Sequence, residues 1–395
     1  MTEKEATSKT KKSEGIGGGS LRQALIVPAL AVLTGLIIGA IAILASGGNP
    51  IVAYGALFAG SFGDPARFVT GFQQLFATGE TAGLLRAIYP ISESIVTATP
   101  YIFAGLSVAL GFRAGLFNIG AEGQFFIGAL CSAFVGYSIE GLPMIIHLPL
   151  ALLAGAAGGA VWGMIPGYLK ARFGAHEVVN TIMMNWIAFR LSDWLLSGPM
   201  QSSGFRPVTP NVEHTAELPR FFPDPLRINW GIILAIVVAY LVYWFLFKTT
   251  LGFEIRSVGA NPDAARYAGM NIVRNIVLVM ALAGGLAGLA GSAQVLGVDH
   301  WVGQGFSAGY GFDAIALALL GRSHPFGVVL AGLLFGFLRG GATNMQSMAG
   351  IPIDIISIIQ GLIIIFIAAP DIIRWLYRLK NVKVEETVLT RGWGS

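Results

Sequence analysis

The chain has 395 residues, of which 54% are hydrophobic and only 12% charged, and its mean hydropathy is +0.70. A soluble domain carries about 25% charged residues, so this composition excludes one and places the chain in a lipid bilayer. The net charge of +4 comes from short basic segments flanking apolar runs, which reads as topology signalling and not as a nucleic-acid surface; the single cysteine, Cys131, leaves no disulfide scaffold or Cys-cluster metal site.

Crossing ~30 Å of hydrocarbon takes roughly 17–25 helical residues. Residues 1–22, rich in Lys, Ser, Thr and Gly, read as a disordered cytoplasmic tail ahead of a permease domain over 23–370. The first apolar run, 24–45, is too long for a cleavable signal and lacks an obvious small-residue cleavage site. Further runs follow at 95–112, 124–138, 147–169, 178–196, 230–247 and 276–297. The stretch 306–339 holds two passes broken by GRSHPFG at 321–327, and 355–370 is the last before a cytoplasmic tail at 371–395. These runs predict an all-α integral membrane protein of about ten transmembrane helices.

Lys4, Lys9, Lys11, Lys12 and Arg22 precede the first span, and Arg374, Arg378, Lys380 and Lys383 follow the last. With an even count, the positive-inside rule puts both ends in the cytoplasm. The same count puts Lys170, Arg172, the polar segment 248–275 and Arg322 inside, and the Lys- and Arg-free loops at 138–147 and 298–311 outside. Arg67, Arg86 and Arg339 fall outside against the rule, and the outer loop 200–229 matches Arg206, Arg220 and Arg227 with Glu213, Glu217 and Asp224.

The polar segment reads LGFEIRSVGANPDAARYAGMNIVR at 251–274. Asn261 suits a helix N-cap, Pro262 the first helical position and Asp263 the positive helix end, while Gly269 can take the left-handed conformation that stops the helix. A helix of ~10 Å over 262–268 follows, with Asp263, Arg266 and Tyr267 on its face and Glu254 and Arg256 just upstream. Such a helix suits docking into a groove of a soluble partner; the plainer alternative is a solvated connector between spans. No lysine follows a glycine anywhere in the chain, so it carries no Walker phosphate loop of its own. No metal constellation or cofactor motif is present, and GFSAG at 305–309 matches the serine-hydrolase string only by coincidence, since it lies between membrane spans.

RAGLFNIGAEGQFFIGAL at 113–130, HEVVNTIMMNWIA at 176–188, SVGANPDAARYAGMNI at 257–272 and GYGFDAIALALLGRSHPFGVVLAGLLFG at 309–336 carry a family resemblance. Over roughly residues 90–370 the chain resembles permease subunits of bacterial ABC importers, in the nucleoside branch served by a basic-membrane-protein lipoprotein. The resemblance implies a type II importer-like fold with inverted repeats, in the cytoplasmic membrane. It also implies an ATP-binding subunit with two nucleotide-binding modules, a second permease subunit and a substrate-binding lipoprotein as partners, alongside membrane lipid. SVGANPDAARYAGM resembles the family's coupling helix, which assigns Asn261, Pro262, Asp263, Arg266, Tyr267 and Gly269 to contact with the ATPase.

Within NIGAEGQ, Asn118 and Glu122 stand four apart, and Gly111, Gly115, Gly120, Gly123 and Gln124 break the apolar pattern. Two readings stay open: a half-length element at membrane depth, covered by protein or an aqueous cavity, or a cytoplasmic turn between spans. GFRAG at 111–115 returns as GFSAG at 305–309, five spans later and on the opposite face, as an inverted-repeat transporter would have it. Polar groups in apolar surroundings are the candidates for a substrate path: Glu122 and Asp313 as acids, Asn118 and Asn185 as amides, with Gln360 a further amide. Phe117, Trp186, Phe306 and Tyr310 offer aromatic faces to a base. For each of these a structural role between helices is the alternative. Arg190 and Asp193, three apart, read as a self-neutralising pair. The rival functions are a ribose-like sugar permease, an ion-coupled transporter with Glu122 or Asp313 as its proton site, and a channel or scaffold subunit.

Overall fold

The structure, a computed structural model, describes residues 19–378 apart from Phe205 and Ala308, and only the backbone of residues 19–25 and Ala368. The two tails placed at 1–22 and 371–395, with their lysines, therefore lie mostly outside the described residues. In chain order the helices are α1 (Gly19–Ala45), α2 (Pro50–Phe62), α3 (Pro65–Thr78), α4 (Ala82–Arg113) and α5 (Ala121–Ser138). Then come α6 (Met144–Phe173), α7 (Glu177–Leu196), α8 (Gly231–Lys248), α9 (Thr250–Ala260) and α10 (Pro262–Tyr267). The last five are α11 (Ile272–Gln294), α12 (Tyr310–Leu320), α13 (Pro325–Ala349), α14 (Asp354–Ala368) and α15 (Pro370–Leu376). Among the described residues no strand forms; two isolated bridges join Val208 to Gly303 and Arg220 to Asn229.

Each of the ten predicted apolar runs lies in a helix of its own. Among the described residues six helices are long and apolar enough to cross a membrane: α1, α4, α6, α8, α13, and α11 together with the π-helical turn Val295–Asp299 that extends it. A seventh forms if α14 and α15, bent by 88°, make one span. The protein is thus a multi-pass α-helical membrane protein. Elsewhere the structure adds to the expectation. α2 and α3 occupy residues 50–78, and α3 is set by an Asp64 side chain that accepts from Ala66 N at 2.9 Å and by Pro65 at its first position. α9 precedes the expected polar helix, and α15 takes up the first part of the supposed C-terminal tail. Arg339, expected in an outer loop, stands near the middle of α13, because that helix runs on to Ala349.

The described residues form two compact units, 19–50 with 352–378, and 51–351. In the first, Gly35 of α1 lets α14 approach, since a Cβ there would lie 2.7 Å from Ile363 Cγ1, and Thr34 Oγ1 hydrogen-bonds with Tyr377 Oη at 3.0 Å. Gln360 is buried in α14.

In the second unit, glycine rows do the packing. Gly155, Gly159 and Gly163 of α6 bring their backbone against Gly284 and Gly288 of α11; Gly332, Gly336 and Gly340 of α13 lie in the same way on Ile102, Ala98 and Ser94 of α4. In hydrocarbon no hydrophobic effect drives helices together, so such close backbone approach supplies the association energy. The two pairings are equivalent if α4–α5–α6 and α11–α12–α13 are exchanged. α4 and α11 also run antiparallel, both passing Asn229 at one end and the α9 region at the other. The last glycine of each five-residue match, Gly115 and Gly309, takes the left-handed conformation, at φ 69° and 86°. This is the arrangement of an inverted repeat.

The bundle has two polar ends. At one, the loop between α7 and α8 is stitched on by Glu213 N to Gly136 O, Leu218 N to Leu296 O and Thr209 N to Val302 O, each at 2.8–2.9 Å, and by an ion pair from Arg227 to Glu93. At the other, α9 meets the α4–α5 junction, with α10 packed on α9. Ser92 and Arg113 of α4 mark the two ends, and the ~32 Å of helix between them equals the hydrocarbon thickness. The loop at 200–229 and the segment at 248–275 therefore fall at opposite ends, as the charge pattern requires.

Candidate functional site

After α4, residues 114–120 run without regular structure and α5 starts only at Ala121; after α11, the chain turns back likewise and α12 starts at Tyr310. The beginnings of α5 and α12 meet inside the bundle. A Cβ on Gly311 would lie 2.6 Å from the carbonyl carbon of Ala121, so the approach is backbone to backbone. Helix beginnings expose unpaired N–H groups and a partial positive charge, and two of them pressed together need acceptors. Glu122 supplies them. Its side chain, 3% exposed, accepts from Gly311 N at 2.6 Å and from Ser307 Oγ at 2.5 Å while standing in the first turn of its own helix. Of the two readings of NIGAEGQ, this supports an element covered by protein, although the 18 residues of α5 are not half a crossing. Ser307, the serine of GFSAG, has its hydroxyl on this carboxylate and no strand before it.

Asn118, fully buried, accepts from Gly120 N at 3.0 Å and donates to Gln124 Oε1 at 2.9 Å, which folds the loop onto α5. Asn185 of α7 accepts from Gly123 N at 2.8 Å and donates to Ile119 O at 2.9 Å, so it staples α7 to that loop through backbone groups alone. Tyr310 lies edge-on to Tyr101 at 4.7 Å and stacks on Phe125 at 5.6 Å; Phe306 stacks on Phe125 at 5.4 Å. Asp313 accepts from Tyr101 Oη at 2.8 Å, and Arg339 stands 3.4 Å from the same carboxylate oxygen. The structure thus gathers Glu122, Asn118, Phe306, Tyr310 and Asp313 around the meeting helices. Phe117 sits apart against Phe112 at 5.2 Å, and Trp186 is 56% exposed on the outside of α7. Tyr101, Gln124, Ser307 and Arg339 belong to the group and were not singled out from sequence. Two of them carried a signal, Gln124 as a polar break in an apolar run and Arg339 as a charge inside one. Arg190 and Asp193 form the expected exposed pair at 3.6 Å.

The polar helix forms as its caps predict, over Pro262–Tyr267. Asn261 Oδ1 accepts from Ala264 N at 3.0 Å, Pro262 opens the helix, and Gly269 takes φ 83°. Ala265 is buried, which turns Asp263, Arg266 and Tyr267 outward; Asp263 and Arg266 pair at 3.7 Å, and Tyr267 is 97% exposed. α9 anchors this helix. Glu254 bonds Asn275 at 3.0 Å and Arg274 at 2.7 Å, and these two partners hold its carboxyl below the usual carboxylate range. Gly259 of α9 lies against the α4–α5 junction, where a Cβ on Gly115 would come within 3.0 Å of Gly259 O.

Comparison with known proteins bears on this arrangement. The guanosine ABC transporter permease protein NupP of Bacillus subtilis is 40% identical over 89% of this chain and 95% of its own length. The glucose ABC transporter permease protein TsgB13 of Haloferax volcanii is 35% identical over 87% of each, and the nucleoside ABC transporter permease protein NupB of Lactococcus lactis is 34% identical over 93% and 97%. Each of these organisms supplies a second, more distant permease relative at 28–30% identity. No solved structure matches the chain. Residues 91–368, which hold the meeting helices α5 and α12 and the exposed polar helix, match the family described as the permease component of branched-chain amino acid transport systems, and the chain belongs to it.

Proposed function

We propose that the chain is one of two permease subunits of an ABC importer in the cytoplasmic membrane, both termini inside, and that it carries nucleosides. The observation that carries this reading is the exposed α10. A fully solvent-facing Tyr267 beside Asp263 and Arg266, on a helix held by a single buried alanine, is a surface made for a partner. With no phosphate loop in the chain, that partner is the ATP-binding subunit, and the chain itself is no enzyme. The printed activities of the relatives supply the cargo class, and their second permeases support a pair of different membrane subunits. A lipoprotein receptor would dock on the stitched loop between α7 and α8.

In this reading ATP binding shifts the permease between states through contacts that differ between them at α10. α9 carries the movement to Gly115, and the loop ending at Glu122 carries it to the paired beginnings of α5 and α12, where the path opens on alternate sides. A second reading, simple-sugar transport, is favoured by the glucose relative. What guanosine, other ribonucleosides and glucose have in common is a pair of adjacent hydroxyls.

The test is purification of the tagged chain from its own host in mild detergent, with co-purifying proteins identified by mass spectrometry. Recovery of a Walker-motif ATPase, a second permease and a lipoprotein is expected. A chain that comes out alone in several mild detergents overturns the reading and leaves ion-coupled transport through Glu122 or Asp313 in front.

A further inference from the structure

Tyr101 of α4, Asp313 of α12 and Arg339 of α13 come from both repeats and meet where they pack. A pair that exists only for neutrality needs one helix, as Arg190 and Asp193 show. Here three helices converge, and the polar groups are not used up. Asp313 Oδ2 takes the Tyr101 hydroxyl at 2.8 Å and Arg339 Nη1 at 3.4 Å, and Arg339 Nη1 also donates to Tyr101 Oη at 3.1 Å. Asp313 Oδ1 and the Nε and Nη2 groups of Arg339 take no part in these bonds, and the two side chains keep 26% and 29% of their surface open. A guanidinium near the middle of the membrane helix α13, with a carboxylate from the first turn of α12 beside it, cannot turn open groups to lipid, so that side faces water, cargo or protein.

The free groups are one strong acceptor beside a fork of donors. A base edge that binds a carboxylate in two places needs both oxygens, and Oδ2 is already occupied. Two hydroxyls on adjacent carbons fit instead: one donates to Asp313 Oδ1, and its neighbour accepts from Arg339. Tyr310, edge-on to Tyr101, closes one side with an aromatic ring. We infer that Asp313 and Arg339, positioned by Tyr101, form a subsite for the vicinal diol of the cargo's sugar. This rests on the nucleoside-importer reading and deepens it: the permease reads the sugar, not the base.

The test is ATP-driven uptake by the whole importer in proteoliposomes, with a ribonucleoside and the 2′-deoxyribonucleoside of the same base, which lacks the diol. Any preference of the receptor is common to all variants and cancels in the ratio. Asp313→Asn is expected to lower the riboside-to-deoxyriboside ratio at least roughly tenfold. Should that variant fail to assemble, Arg339→Lys, which keeps the charge and loses the fork, is expected to move the ratio the same way. Equal loss of both uptakes overturns the inference and leaves a purely structural ion pair; a variant that changes preference between bases on one sugar overturns it in favour of a base-edge contact. Wild-type importer that moves no nucleoside overturns the underlying reading and the subsite with it.

Discussion

Gly159→Ala tests whether backbone contact between α6 and α11 holds the repeats together. The added Cβ would lie 2.8 Å from Gly288 Cα and 2.9 Å from Gly288 N. Carbon atoms rest at about 3.5–4.0 Å, so the helices must part by roughly 0.7 Å or more. A gap of that size forfeits about a quarter to a half of the dispersion well at each contact along the row, and overpacking of this kind costs ~1–3 kcal/mol. Gly55→Ala in α2 is the control, because nothing lies within 4 Å of the Cβ it would add. It gains helix propensity of up to about 1 kcal/mol and loses nothing. Gly159 also lies inside a helix and gains the same propensity, so the two single-methyl variants should differ by the overpacking cost alone, ~1–3 kcal/mol, read from the unfolding of detergent-purified protein followed by circular dichroism. If Gly159→Ala unfolds together with Gly55→Ala or after it, the packing argument is wrong.

Tyr267→Ala and Arg266→Glu should leave unfolding within about 0.5 kcal/mol of wild type, since both residues are exposed, and should abolish both uptake and recovery of the ATPase; uptake that survives both changes refutes the docking role of α10. Asn185→Ala strands Gly123 N and Ile119 O inside the bundle and should cost ~2–5 kcal/mol. Trp186→Ala, one residue on and 56% exposed, should cost much less; equal losses in the same unfolding assay would remove the staple. Gly259→Val places a Cβ 2.5 Å from Arg113 O, and should cut uptake severalfold while ATP hydrolysis continues; normal transport would break the proposed link between α9 and the α4–α5 junction.

What could be read from the chain follows from how local each signal is. The polar helix was legible to within one residue, expected over 262–268 and found over Pro262–Tyr267, because Asn261, Pro262 and Gly269 mark its ends through bonds to near neighbours. The ten apolar runs were legible as helices, since membrane helices announce themselves by length. α3 carried its signals too, Asp64 and Pro65 at the start and Gly79 at φ 77° after the end, but without a span-length apolar run it was passed over. The site was half legible. Glu122 and Asp313 stood out as acids among apolar residues, whereas Ser307 and Gly311 reach Glu122 across some 185–189 positions, and Tyr101 reaches Asp313 across 212. No periodicity records such pairings. Trp186 was chosen for its ring, but only the fold decides which face of α7 that ring takes.

The proposed path from α10 to the beginnings of α5 and α12 has little slack, and this bears on how it would work. Between Gly259 and Gly115, and between Gly311 and residues 121–122, backbone rests on backbone. Side chains at such joints would absorb a small displacement by changing rotamer, but glycine backbones cannot, so a shift at α10 has to reappear at the next joint. The final joint is of another kind. Glu122 neutralises two helix beginnings at once, and moving α12 away would strip its carboxylate of the Gly311 N–H. Its hydrogen bonds are short-range and charge-assisted, so they break rather than stretch. A rigid linkage ending in a bond that is either made or broken turns a graded push into a choice between two states, which alternating access requires.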